Sequence, residues 1–166
     1  PRLRPEPVGG LTMTTRTLTS SPSILPLYAR AAAPMVPGAS LLPFVPGGGG
    51  DIPELDLKLA GVETDPAAVA AYAKVCGFPL HDHLPPTYPH VLAFPLAMRL
   101  MTERDFPFDL LGLVHIANRI EQRAPIPVTG RPALRVWAES LRPHHRGRQL
   151  DLVTEASVDD EVVWLE

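Results

Sequence analysis

The sequence predicts an α+β fold: a curled antiparallel sheet with a helix on its concave side. Three observations carry this. One helix is delimited at both ends, at Asp65-Pro66 and at Gly77. From Gly112 onward the chain alternates apolar and polar residues in segments the length of strands. Those segments are joined by short turns, Pro143-His144-His145-Arg146-Gly147 and Asp159-Asp160, which suit antiparallel neighbours.

Taken in order, residues 1–20 read as a disordered leader in which Met13 is a candidate start. Residues 21–53 form a Pro- and Gly-rich segment that holds Gly47-Gly48-Gly49-Gly50. It cannot be one continuous element. A short helix fits inside it from about Ile24 to Ala33, with Ser23 as N-cap and Ile24, Leu27, Tyr28 and Ala31 on one face. Pro34 to Pro53 reads as a linker. The folded domain spans 54–166. It opens with a strand over Leu55–Thr64, whose Leu55, Leu57 and Leu59 oppose Asp56 and Lys58. The helix that follows has Asp65 as N-cap, Pro66 at its first position and Gly77 as terminator. Val69, Tyr72 and Cys76 or Val75 form its apolar face.

Prolines at 85, 86, 89 and 95 argue against a regular helix across residues 78–95. An irregular or edge strand over Thr87–Phe94 and one or two helical turns over Leu96–Thr102 are expected instead. Strands are then predicted over Leu113–Gln122, Ala133–Arg142, Gln149–Val158 and Glu161–Glu166. The last is about half as long as its predecessor. Its Val163, Trp164 and Leu165 lack an evident partner, so the domain is expected to be incomplete, truncated in its last strand.

Composition limits function. A net charge of −3 gives no global basic field, which argues against nucleic acid as partner. The single cysteine, Cys76, cannot form an internal disulfide, so a cytoplasmic setting is the expectation. No apolar run approaches the ~20 residues of a membrane span, so no membrane partner is expected.

The run YAKVCGFPLHDHLPPTYPHVLAFPLAMRLM, then FPFDLLGLVHIANRIEQRAPI, LRPHHRGRQLDLVTEASV and EVVWLE, resembles the N-terminal half of actinobacterial MaoC-like dehydratases. The likeness covers about Ser21 to Glu166. It implies the hot-dog fold, a sheet wrapped on a central helix, often present as two halves in one chain. It also implies a reversible hydro-lyase of fatty-acid or polyketide metabolism. Such an enzyme interconverts (3R)-hydroxyacyl-CoA or -ACP and the trans-2-enoyl thioester, without a cofactor. The family's signature runs Gly-Asp-x-Asn-Pro-apolar-His, and its Asp and His position a water and move a proton. Laid on Tyr72 to His83, that signature finds Phe78 where the Asp should stand. Leu80 and His81 stand in place of Asn-Pro, and after Gly77 only His83 is kept. Phenylalanine can neither transfer a proton nor orient a water. The resemblance therefore implies an acyl-binding, non-catalytic half that needs a catalytic hot-dog half or subunit and pairs with it in dimer fashion.

No catalytic residue is assigned; His83 and Asp82 remain outside candidates. His81, Asp82, His83 and His90 invite a metal reading, but without CxxC or HExxH a polar loop is preferred and no metal is expected. Cys76, near a helix C-terminus where the dipole disfavours thiolate, is read as a small buried residue. By resemblance, Tyr88, Leu92 and Phe94 would line an acyl tunnel, with ordinary core packing an equal alternative. His115 and Asn118 fall on opposite faces of a strand, and one of them would meet the thioester or pantetheine, with plain sheet surface as the alternative. Arg142, Arg146 and Arg148, beside His144 and His145, would meet CoA phosphates or an acyl carrier protein; a solvated hairpin is the plainer reading. Two other functions stand behind the first. One is a non-catalytic hot-dog module that binds acyl-CoA. The other is thioester hydrolysis, ranked last because the predicted helix offers only Asp65 as an acid.

Overall fold

The computed structural model describes residues 13–33 and 50–166. The leader before Met13 and the linker over 34–49 lie outside the described residues. The elements run β1 (Thr14–Leu18), α1 (Ile24–Ala32), β2 (Leu55–Leu59), α2 (Pro66–Cys76), α3 (Tyr88–Met101), a 3-10 turn (Leu110–Gly112), β3 (Glu121–Gln122), β4 (Ala133–His144), β5 (Gly147–Val158) and β6 (Glu161–Leu165). The six strands form one sheet in the order β1-β2-β4-β5-β6-β3. This is an α+β fold with the hot-dog arrangement, and α3 packs on β2, β4 and β5.

The long hairpins follow the sequence pattern closely. β4 and β5 pair from Ala133↔Ser157 to His144↔Gly147. The ladder is interrupted between Glu139 and Arg142, where Ser140 takes a positive φ of 57° and the strand bulges. Asp159 and Asp160 both have positive φ, which matches the turn twist to the strand twist and closes β5 onto β6. On the inner face Leu57 sits opposite Val136, and Leu59 opposite Leu134, which in turn faces Ala156. All five are buried, and with Leu96 and Leu100 of α3 they form the core. At ~25 cal/mol per Å2, such burial is the main driving force of the fold.

Four expectations are corrected. First, the central helix is α3, not the well-capped α2. Residues expected as an irregular strand, Thr87–Phe94, form the start of a continuous helix that also takes in Leu96–Met101. Pro89 stands at its second position, where the missing N–H has no intrahelical partner to lose. Only Pro95 lies in the interior. Burial on three sides of the helix outweighs that one lost bond, because Ala93, Pro95, Leu96, Ala97, Met98 and Leu100 are all buried. Second, the sheet is not wholly antiparallel, since β1 runs parallel to β2. Third, the strand expected over Leu113–Gln122 reduces to Glu121–Gln122. Fourth, the apolar residues of β6 do have partners. The strand lies between β5 and β3, Trp164 is fully buried and Val163 nearly so.

The predicted caps of α2 are found in place. Asp65 Oδ1 accepts from the Ala67 amide at 2.9 Å, and Gly77 adopts φ 74° in the left-handed region. Its buried face is Val69 and Ala73, with Tyr72 half-buried, whereas Val75 and Cys76 are exposed. Cys76 is thus not the buried residue expected from its neighbours. On α1, Leu27 and Ala31 are buried while Ile24 and Tyr28 face out, so that helix buries a narrower stripe than its pattern allows.

Candidate functional site

The residues that carry the signature lie between α2 and α3. The left-handed turn at Gly77 redirects the chain, and the loop 78–87 runs back to the start of α3. Four bonds hold that loop. The Leu84 amide donates to Ile126 O at 2.8 Å, and the Val128 amide donates to Asp82 O at 2.8 Å. Trp164 Nε1 donates to Pro86 O at 2.7 Å, and the Tyr72 and Thr87 hydroxyls are 2.7 Å apart. Leu84 and Pro85 are buried, whereas His81 and Asp82 stand in solvent.

A cleft of about 230 Å3 opens along this loop, walled by Phe78, Pro79, His81, His83, Leu84 and the Pro85-Pro86 pair. Phe78 lies parallel to Tyr72 with centroids 6.5 Å apart, so it is part of an aromatic cluster with Tyr88, which meets Tyr72 edge-on at 5.1 Å. At Phe78 the cleft therefore has an apolar wall. His83 does have a carboxylate beside it: its Nδ1 is 3.1 Å from Asp82 Oδ1. The hydrogen bond from His83 holds the Asp82 carboxyl below its usual range. Asp82 is fully exposed, however, so this pair shares none of the dry environment that strengthens catalytic electrostatics. The His81 and His83 rings stack at 4.8 Å. Among the described residues no group of three His, Cys, Asp or Glu side chains is placed to hold a metal ion.

The acyl-binding candidates do not share one face. Tyr88 and Leu92 are one turn apart on α3, Tyr88 enclosed and Leu92 packed on the core. Phe94 lies a turn beyond His90 instead, with ring centroids 6.3 Å apart. His115 and Asn118 sit on a segment outside any ladder, not on opposite faces of a strand. His115 Nε2 approaches Ala117 O at 2.8 Å. Of the basic residues, Arg142 makes a two-pronged contact with Asp151 at 2.8 Å on each arm, and Asp151 raises its already high pKa. Arg148 donates to Gly50 O and lies over the Phe108 ring. Arg146 is exposed at the hairpin tip.

Two groupings escaped sequence reasoning. His90, met there only as a metal candidate, has its Nδ1 2.8 Å from Glu166 Oε2. Asn118 Nδ2 donates to the other oxygen of the same carboxylate. Hydrogen bonding to Glu166 raises the His90 pKa above its ordinary value. Burial pushes Glu166 upward, but the bonds and charge from His90, with Asn118 and the nearby His115, carry it net below the usual range. These residues are 76 and 48 positions apart in the chain, so no local pattern signals them. The second grouping is structural: Asp56, fully buried, accepts from Thr15 Oγ1 at 2.8 Å and from Arg135 Nε at 2.5 Å.

No family model matches the chain. It is 44% identical over 145 residues to 3-hydroxyacyl-thioester dehydratase X of Mycobacterium tuberculosis, covering 87% of this chain and 49% of that protein. Two crystal structures of that protein, HtdX, superpose with TM-scores of 0.63 and 0.59, at 45% and 46% identity over 66% and 65% of this chain. They are matched over 47% and 44% of their own lengths. The chain thus spans about half the length of the curated relative it matches. In sequence and in fold alike, the chain is similar to HtdX over about half of that protein's length, in keeping with its resemblance to the MaoC-like hot-dog dehydratases.

Proposed function

We propose that this chain is the acyl-binding half of a reversible hydro-lyase that interconverts (3R)-hydroxyacyl and trans-2-enoyl thioesters, of CoA or of acyl carrier protein. The proton-transfer dyad would come from a second hot-dog half or subunit, paired edge to edge through the β3 side of the sheet. The observation that carries this reading is Phe78, an aromatic wall where the family signature places its carboxylate. The 44% identity to a 3-hydroxyacyl-thioester dehydratase supports the reaction class. Phe94 of α3 and His115 and Asn118 of the neighbouring segment are the residues proposed to meet the acyl thioester, and Tyr88 and Leu92 back them from the core side of the helix. Arg146 is the proposed contact for CoA phosphate or carrier protein, since Arg142 and Arg148 already have partners. Thioester hydrolysis remains disfavoured, because α3 carries no acidic residue.

The test is hydration of crotonyl-CoA, followed as loss of enoyl absorbance, on this chain and on a version extended past Glu166 by a second hot-dog half. Turnover only in the extended protein supports the proposal. Turnover in the short chain overturns it and sends the search to His83 and Asp82. Acyl-CoA binding with no turnover in either protein favours the module that only binds.

A further inference from the structure

Residues 111–119, from within the 3-10 turn to just before β3, are all exposed. They include four large apolar side chains, Leu111, Leu113, Val114 and Ile116. From Val114 to Ile120 no backbone hydrogen bond ties this strap to the rest of the protein among the described residues. A segment so constituted opens at little cost. The side-chain tether recorded for it is Asn118, which donates to Glu166 Oε1. The other end of that tether is rigid. The Glu166 amide and carbonyl exchange hydrogen bonds of 2.9 and 3.0 Å with Thr154, which fixes it on the β5 side of the sheet. Its second carboxylate oxygen is held by His90 from the first turn of α3.

We propose that His90, Glu166 and Asn118 form a proton-dependent clasp, which holds the strap to the corner between α3 and β6 while His90 is protonated and slackens when it is neutral. The physical reason is charge. A protonated imidazole fixes the Glu166 carboxylate in the position where Asn118 meets it, and this carboxylate is mostly withdrawn from water, with a side chain 11% exposed. A neutral imidazole retains one uncharged hydrogen bond and loses the ion pair. Glu166 is then left desolvated with less compensation and gains by turning toward water. The groups that bear on the carboxylate are His90 from α3 and, from the strap, Asn118 and His115. Glu166 is the charged group that bears on His90. Release of the strap would let the segment that carries these apolar side chains move away from this corner without disturbing the sheet.

The experiment places a nitroxide label at Val114→Cys, a site 78% exposed, with Cys76→Ser to remove the native thiol, and follows label mobility from pH 5.5 to 9. The mobile fraction should rise severalfold, with a midpoint matching the His90 imidazole titration read by NMR. In His90→Gln the rise should vanish, and in Asn118→Ala the label should be mobile throughout while His90 still titrates. His115→Gln should keep the rise, which separates the clasp from the strap's own histidine. A pH response that survives in His90→Gln, or is lost in His115→Gln, or a label whose mobility stays flat while His90 titrates, overturns the proposal. Circular dichroism of each variant separates release of the strap from unfolding.

Discussion

Replacing Trp164 by Phe tests how the loop between α2 and α3 is held. The indole is fully buried in β6, and its N–H reaches Pro86 O at 2.7 Å. Phenylalanine removes that donor, for a net loss of about 1 kcal/mol, and leaves the Pro86 carbonyl unpaired. The smaller ring leaves space in an enclosed site, worth about another 1 kcal/mol. The sum, about 2 kcal/mol, corresponds to a fall in Tm of about 4–8 °C for a chain of this size. Urea unfolding followed by far-ultraviolet circular dichroism is the assay, because the substitution removes a fluorophore. The midpoint should fall with an unchanged m-value. Hydrogen exchange supplies a second reading. The Leu84 and Val128 amides bond to Ile126 and Asp82 rather than to the indole, so their protection should fall only with global stability. A loss below about 0.5 kcal/mol, or selective deprotection of Leu84, would refute this division of labour between the indole and the backbone bonds.

Asp56→Ala, which removes the buried acceptor of Thr15 and leaves Arg135 its longer contact with Glu155 and the Trp137 ring, should cost about 2 kcal/mol, less than a fully buried pair because Arg135 reaches solvent; urea unfolding measures it. Gly77→Ala forces a Cβ into the left-handed region and should cost about 1 kcal/mol, and Asp65→Ala, which removes the N-cap acceptor, should cost a similar amount. The stability advantage of the wild type over His90→Gln should be present below the unfolded histidine pKa and lost as pH rises through the raised folded value. At the acid end, the contribution of Glu166 is present above the unfolded carboxyl pKa and lost as pH falls through its lowered folded value. Urea midpoints across this range check both limits, and an advantage that grows above pH 9 would contradict the sign.

The hairpins and α2 were legible because their signals are local. Period-two alternation, paired Asp residues in a turn, an Asp-Pro start and a Gly stop all act within a few residues. The central helix was not, since four prolines within eleven residues argue against helix when helical positions are not distinguished. Two of the four precede α3, Pro89 falls where the helix needs no donor, and only Pro95 opposes it. The strand expected at Leu113–Gln122 has the right alternation, but most of it has no neighbour to pair with among the described residues. Phe78 in place of the signature carboxylate is what the family resemblance implies. The meeting of His90, Asn118 and Glu166 has no local signal in the sequence, because it depends on how α3, the strap and β6 converge.

β1 has a consequence for the order in which the protein assembles. Its five residues are almost wholly exposed, so it buries little of its own. It is held by a ladder to β2 across a gap of 41 residues, by Thr15 on Asp56 and by Arg16 on Glu103. A strand with such distant partners cannot nucleate anything. It docks after β2 has joined β4, and it is the first strand to leave on warming. While it is seated, its threonines cover the backbone of β2, whose own side chains are Leu, Asp, Leu, Lys and Leu. When it detaches, the leucine-rich rim of the sheet is bare, an invitation to another molecule's strand. The N-terminal strand thus acts as a guard against aggregation, and its fraying would set the concentration at which the folded protein begins to self-associate.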